Sequence, residues 1–482
     1  MLLHFTLFTI FSRWSTSNSN VGRARAVNVM RNRSGPSAAL LRHCASAEDF
    51  FMEFLTVDMI NDIVRFTNQE GERREGPNWK PTSNEEIRIL IGLFLLAGVY
   101  TSKNEAVRQL WNKEDGRPIF NKAMSRDRFV VLCAYLRFDD STTRTSRRRT
   151  DKLAAFRSFW GAFVTRCNSN YTPNENVTVD EQFVTYRGRC PFRMFIPSKP
   201  GRYGVKIWML CDSSNYYCCN AQIYTGKRDT GREINQGTRV VLELTDHLTD
   251  SGRNIVGDNF FSSLHLVQCL NARRLSYLGT IGKNKPELPL EFQPSRQRAI
   301  HSSLFGFSVD ATIVSYVPKK NKSVNLISSL HRTAELSEDR SKPQIIMDYN
   351  KLKCGVDTLD QVIRKYSSKR KTKRWPMALF YNTLDIAAYN AYVCFMHCHP
   401  QWQLSKPHRR RLFLITLAKQ LINFVELPTA EPAPPLFPPS GKRRRCNSCG
   451  WKEDKKTSLQ CVSCGKPTCL SHASVLCSSC SV

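Results

Sequence analysis

No stretch of this sequence stays apolar for the roughly 20 residues a bilayer-spanning helix needs. The longest candidate, Ile89 to Tyr100, has the length of a buried core helix, so no membrane partner is expected. Acids are scarce: 41 Asp and Glu stand against 71 Lys and Arg, leaving +30. That exceeds what solubility requires and points to a polyanionic partner, because cationic side chains that replace a phosphate's counterions release them. The first 47 residues hold no acid, only six arginines behind an apolar start; they read as a disordered basic tail, and also resemble a mitochondrial transit peptide. A disulfide framework is missing as well. Eleven of the 18 cysteines are scattered through the first 400 residues and seven crowd into the last 37, the pattern of zinc binding in a reducing compartment.

Hydrophobic residues make up 41% and aromatics 10%, enough to bury cores, and 482 residues exceed what one core usually serves. Apolar repeats in Ile60 to Phe66, Glu85 to Leu96 and Arg128 to Leu136 predict helices. From Asn176 the period changes to two, and Lys206 to Cys211, Cys218 to Tyr224 and Asn254 to Gly257 follow as short strands. A strand pair is expected around Ala311 to Val317 and Val324 to Ser329, then helix from Val356 and a long helix from Trp375 to His397. Six prolines between Leu427 and Ser440 form a linker. The basic run at 441–445 reads as a nuclear localisation signal or as part of a DNA-binding patch.

Asp180 ends the alternating strand NVTVDEQ in this reading, Asp258 ends RNIVGDNFF, and Asp357 and Asp360 share one face of a helix in CGVDTLDQV. Singly, each also reads as a turn or capping residue. Together, two strand-end carboxylates and a helical one are how an RNase H-like fold gathers acids around Mg²⁺, a hard ion that takes oxygen ligands.

The C-terminal cluster holds four pairs at x2 spacing: Cys446 and Cys449, Cys461 and Cys464, Cys469 and His472, Cys477 and Cys480. Eight thiolate and imidazole ligands make two tetrahedral Zn²⁺ sites. The expected pairing is a cross-brace, with Cys446, Cys449, Cys469 and His472 on one ion and the other four on the second. RING or PHD modules space their ligands similarly.

The run VDEQFVTYRGRCPFRMFIPSKPGRYGVKIWMLCDS (Val179 to Ser213), followed by DNFFSS (Asp258 to Ser263), KCGVDTLDQ (Lys353 to Gln361) and KRKTKRWPMALFYN (Lys369 to Asn382), resembles the piggyBac transposase family from about Ser46 onward. The resemblance implies an α/β chain with Asp180, Asp258 and Asp357 as catalytic triad and Asp360 beside it, using two Mg²⁺ or Mn²⁺. It further implies nicking of transposon ends, a hairpin intermediate, joining into TTAA, a homodimer on double-stranded DNA, and a C5HC2 zinc domain that reads the end. On this basis the chain divides into a basic N-terminus (1–45), a helical dimerisation and DNA-binding part (46–171), an RNase H-like catalytic part (172–284), an insertion (285–346), a second catalytic part (347–372), a second helical part (373–426), a linker (427–445) and the zinc domain (446–482).

Beside the acids, Arg187, Arg189, Arg193, Lys199, Arg202 and Lys206 are candidate phosphate contacts or solvated charge. The acid-free stretch Lys365 to Arg374, with Lys369, Arg370, Lys371, Lys373 and Arg374, is expected along DNA, with Trp375 either stacked on an unpaired base or packed in a core. Arg144 to Arg149 reads as a solvated loop or a backbone contact. The N-terminus departs from the family's longer acidic one, which keeps a domesticated DNA- or chromatin-binding descendant as the rival to an active nuclear enzyme.

Overall fold

The helix-period segments fold as Val57–Glu75, Asn84–Val99, Arg126–Tyr135 and Arg157–Asn170. Hydroxyls start three of them: Thr56, Ser83 and Ser125 each accept a hydrogen bond from the N–H three residues on, satisfying a donor the first turn leaves free. The computed structural model describes residues 6–8, 13–17, 29–30, 33–226, 233–337, 342–423, 443–460 and 466–473. Helices Trp375–Cys398 and Arg409–Leu421 return from the other end of the chain to the same helical body. Rings lock the two halves together: Phe94 lies 5.1 Å from Tyr381, Phe138 4.8 Å from Phe380 and Phe50 5.7 Å from Phe395. Each such pair adds about 0.5–1.5 kcal/mol beyond its buried area.

Between these halves in sequence lies a mixed sheet centred on strand Asn176–Thr185. On one side it pairs antiparallel with Tyr203–Asp212, which pairs antiparallel with Cys218–Ile223. On the other it runs parallel to Asn254–Gly257, which runs parallel to Ser276–Thr280.

Two sequence expectations change here. Segment 285–346 carries Ser303–Phe307, Thr312–Lys319 and Lys322–Ser328, but these strands continue the same sheet from the edge of Ser276–Thr280. An open edge strand presents unpaired N–H and C=O groups, and the inserted hairpin satisfies them. Within 1–45, where composition alone predicts disorder, Thr6–Phe8 and Arg13–Ser15 form a hairpin on strand Ser303–Phe307. Trp14 is buried there, its Nε1 donating to the Glu287 carbonyl at 3.0 Å, and Ala38–His43 is helical.

Helix Gln344–Leu352 covers this extended sheet, setting Ile345, Ile346 and Tyr349 against Val256, Leu278, Val314 and Leu326. It thereby delivers the chain to the next helix, Gly355–Lys365.

Residues Met1–Asn423 form one compact unit and Phe424–Val482 a second. In the second, Arg444–Arg445 pairs antiparallel with Lys456–Thr457. Most of the expected linker, 427–442, lies outside the described residues.

Candidate active site

Strand register brings the first two acids together. The parallel ladder between Asn176–Thr185 and Asn254–Gly257 ends at the rung Val179↔Gly257, so Asp180 and Asp258 follow side by side, on strands about 4.8 Å apart. Asp180 is not at a strand end, as the local pattern implies. Its strand runs on to Thr185 because Tyr203–Asp212 pairs along its whole length, from Val177↔Asp212 to Thr185↔Gly204. Only the parallel partner stops, which frees one side of Asp180.

Asp258 sits in a turn wound around its own oxygens: the Phe260 N–H donates to Oδ1 at 2.9 Å and the Ser262 hydroxyl to the carbonyl at 3.0 Å. The preceding Gly257 is needed there, since a Cβ would lie 2.7 Å from the Tyr277 hydroxyl.

Asp357 occupies the first turn of helix Gly355–Lys365 and is exposed. Thr178, two residues before Asp180, donates at 2.8 Å to the carbonyl of Leu352, the last residue of the preceding helix, and packs directly against Gly355 at the start of the helix that carries Asp357. Asp360, one turn on, is half-buried, accepts from Gln182 Nε2 at 3.1 Å and pairs with Arg364 at 2.6 Å. Gln182 is held in turn by Asn382 Nδ2 at 2.8 Å, from the long helix Trp375–Cys398.

The acids load one another electrostatically. Burial pushes the Asp180 carboxyl up to about 7, and the nearby charges of Glu181, Asp258 and Asp357 add to it against a hydrogen bond from the Glu181 N–H. Burial likewise raises Asp258, with Glu181 adding, and Asp360, with Asp357 adding. A site that disfavours its own negative charge this strongly is chemically matched to a hard divalent cation. Asp180, Asp258 and Asp357 are the residues that could hold one, although their oxygens are not drawn as close as 4.8 Å to one another.

Sequence reading missed Glu181, Gln182 and Asn382. The paired cations next to the acids give a signal for the first. Lys199 lies 3.3 Å and Lys206 3.8 Å from Glu181, and the Lys206 amine stands 4.1 Å over the Trp208 ring, on which Phe260 stacks at 5.1 Å. Arg187 and Arg189 are exposed on the loop that follows.

The basic stretch before the long helix divides by direction. Lys365, Lys371 and Lys373 are exposed. Arg370 is buried and donates to the carbonyls of Ser102 and, at 2.7 Å, Glu105; Arg374 donates to those of Leu136 and, at 3.0 Å, Ala134. Lys369 is bonded to the Thr185 carbonyl, and burial pushes its amine down to about 8. These three therefore do not lie along an open surface: they tie the stretch to the helical body and the sheet, leaving only the lysines between them outward. Trp375 is half-buried and packs edge-on against buried Phe192 at 5.0 Å.

In the second unit Cys446, Cys449, Cys469 and His472 place their ligand atoms within 4.8 Å of one another. The His472 Nδ1 lies 3.4 Å from Cys469 Sγ, 3.5 Å from Cys449 Sγ and 3.8 Å from Cys446 Sγ. The N–H of Cys469 donates to Cys446 Sγ at 3.2 Å and is the main reason that thiol is pulled down to about 6. Three soft ligands and one imidazole fit a tetrahedral Zn²⁺, and this is the quartet the cross-brace assigns to one ion. Cys461, Cys464, Cys477 and Cys480 lie outside the described residues.

Known proteins share this architecture. A family model described as Transposase IS4 matches residues 46–392. The human PiggyBac transposable element-derived protein 3 is 25% identical over 454 residues, which cover 85% of this chain and 72% of that protein. The human PiggyBac transposable element-derived protein 2 is 24% identical over 376 residues, 72% of this chain and 61% of that one. A cryo-EM structure of a piggyBac transposase synaptic complex with hairpin DNA superposes with a TM-score of 0.77 at 33% identity, covering 93% of this chain and all of that one. The fold is thus that of a known piggyBac transposase, and this chain belongs to the piggyBac transposase family.

Proposed function

We propose that this chain is a DNA transposase that breaks and rejoins phosphodiester bonds at a centre built from Asp180, Asp258 and Asp357, with Asp360 positioned beside them. The observation that carries this reading is that Asp180 and Asp258 follow directly after the last rung of one parallel ladder, with the helix of Asp357 packed against the same strand where Gly355 meets Thr178. The strand order, an antiparallel hairpin on one side of Asn176–Thr185 and parallel strands on the other, supports an RNase H-like core.

Two Mg²⁺ or Mn²⁺ ions, when bound, would activate the attacking oxygen and stabilise the leaving one. Asp180, Asp258 and Asp357 would hold them. Burial raises Asp180's proton affinity, so cation and proton compete for that carboxylate. Gln182 and Arg364 fix the rotamer of Asp360, while Lys199 and Lys206 place positive charge beside the acids, where a polyanion must approach.

The similar structure is a transposase synaptic complex with hairpin DNA, which supports a DNA partner and a hairpin intermediate; nicking at transposon ends, joining into a TTAA target and a homodimer as the working state are carried by the family resemblance alone. In this reading the cysteine cluster takes two Zn²⁺ and selects the end, and the basic run at 441–445 directs the chain to the nucleus.

The test is cleavage of an end-containing duplex with Mg²⁺ or Mn²⁺. Asp258→Ala and Asp180→Ala should each abolish nicking while retaining duplex binding. Normal nicking by Asp258→Ala removes the triad. A wild-type chain that binds DNA and never nicks it favours the rival reading, a domesticated DNA-binding protein, in line with the two human relatives described as transposable element-derived.

A further inference from the structure

Helix Trp375–Cys398 runs for 24 residues without a Lys, Arg or Glu, and its one acid, Asp385, is 8% exposed. Burial pushes that carboxyl up to about 7, against hydrogen bonds from Ser367 and Ser368. A carboxylate taken out of water costs stability unless its oxygens are hydrogen-bonded, and a leucine would fill the same space without that cost. The acid is there for what it holds.

It holds the turn that ends the helix of Asp357 and Asp360. The Ser368 N–H donates to Asp385 Oδ1 at 2.8 Å and the Ser367 hydroxyl to Oδ2 at 2.7 Å, while the Ser368 hydroxyl donates to the Tyr381 carbonyl at 3.1 Å. Helix Asn84–Val99 meets the same turn: a Cβ at Gly98 would strike the Tyr366 carbonyl oxygen and lie 2.9 Å from the Ser367 carbonyl carbon. Backbone lies against backbone there. Two helices of the helical body thus clamp the three residues that follow Lys365. One turn before Asp385, on the same face of its helix, Asn382 reaches Gln182 at 2.8 Å, and Gln182 reaches Asp360 at 3.1 Å. The long helix therefore touches the acid helix's position twice, at its middle and at its end.

We propose that Asp385 is a positioning residue of the acid centre: it fixes where helix Gly355–Lys365 ends, and so where Asp357 and Asp360 stand relative to Asp180 and Asp258. The inference rests on the reading of those acids as the reactive centre. Only a carboxylate presents an acceptor oxygen to each of two neighbouring donors; an amide of the same shape offers one oxygen and turns N–H groups toward the other serine. With both bonds made, the acid helix cannot rotate about its axis without breaking one of them.

The direct variant is Asp385→Asn in the full chain. Amide exchange in 355–368 should speed up while protection elsewhere in Met1–Asn423 stays. On an end-containing duplex with Mn²⁺, kcat for nicking should fall about tenfold or more, as small displacements of reacting groups do, with KM unchanged. Ser367→Ala removes one donor and keeps the carboxylate, so it should give part of that loss. The double variant should be no worse than Asp385→Asn alone, because residues in one hydrogen-bond network do not add. Thr383→Ala separates position from stability: Thr383 is buried on the same helix and donates to the Leu379 carbonyl of that helix, so its loss should lower the melting temperature and keep kcat. Wild-type kcat in both Asp385→Asn and Ser367→Ala, or exchange in 355–368 no faster than in Thr383→Ala, would overturn the proposal. If the wild-type chain binds DNA and never nicks it, the reading of the acids fails, and local exchange still decides whether Asp385 holds their helix.

Discussion

Glu70 is a buried carboxylate whose loss should be felt. Burial alone would raise its carboxyl; hydrogen bonds from Arg73 and Ser141 and the charge of Arg137 overcome that and hold it down at about 2. A depressed carboxylate contributes stability above its unfolded value, near 4.5, and loses it as pH falls toward about 2. The contribution is on the order of 3 kcal/mol at neutral pH. Glu70→Gln should therefore lower the melting temperature at pH 7, and its stability should fall less steeply than wild type between about pH 4.5 and 2. Parallel pH profiles for the two would refute the linkage. Glu70 was not legible in the sequence, and neither were the inward turns of Arg370 and Arg374. A charge run reads the same whether it faces water or carbonyls. The last carbonyls of a helix lack intrahelical partners, and those at the end of Arg126–Tyr135 are met by Arg374, about 240 residues away. Nothing local encodes that distance. The candidate acids could be picked out because they lie within three of the four motif blocks.

At the scale of elements, helices were easier to read than strand ends. Asn84–Val99 and Trp375–Cys398 follow their apolar repeats, since a helix satisfies its own hydrogen bonds and needs only a face to bury. A strand's length is set by its partner, and for that reason the strand of Asp180 outruns its alternating pattern and the segment 285–346 joins a sheet it looks separate from. One contact between elements bears on the position of Asp357. Helix Gly355–Lys365 lies so close to strand Asn176–Thr185 that a Cβ at Gly355 would sit 2.7 Å from Thr178 Oγ1 and 2.9 Å from its Cβ. Thr178 cannot yield easily, because its hydroxyl is held by the Leu352 carbonyl and the Ser213 hydroxyl, both at 2.8 Å. Gly355→Ala should force the helix outward, at a cost of about 1–3 kcal/mol, and carry Asp357 with it. A displacement near 1 Å can lower a rate about 10²-fold. Nicking should therefore fall far more than DNA binding does; a variant that nicks at the wild-type rate would mean Asp357 needs no fixed position.

At the scale of the whole chain, the surplus of 30 positive charges gives general attraction to DNA, which by itself selects no sequence. Selection has to come from a rigid surface, and the small second unit, Phe424–Val482, is too short to fix one by burying a core. Its described part holds a single short hairpin beside Cys446, Cys449, Cys469 and His472. If this quartet takes zinc, as proposed, metal binding supplies the unit's folding free energy, as small zinc modules unfold without the ion. Adding a strong zinc chelator, or substituting Cys446→Ser with Cys449→Ser, should collapse amide protection in residues 443–460 and 466–473 and leave the melting of Met1–Asn423 unchanged. Competition binding at fixed salt then separates the two jobs. Affinity for scrambled duplex should persist, carried by the first unit, while preference for the chain's own terminal repeat should drop toward one. Full preference after zinc removal would assign end selection to the first unit and leave the cysteine module as a surface for another protein, the role its RING- or PHD-like spacing allows.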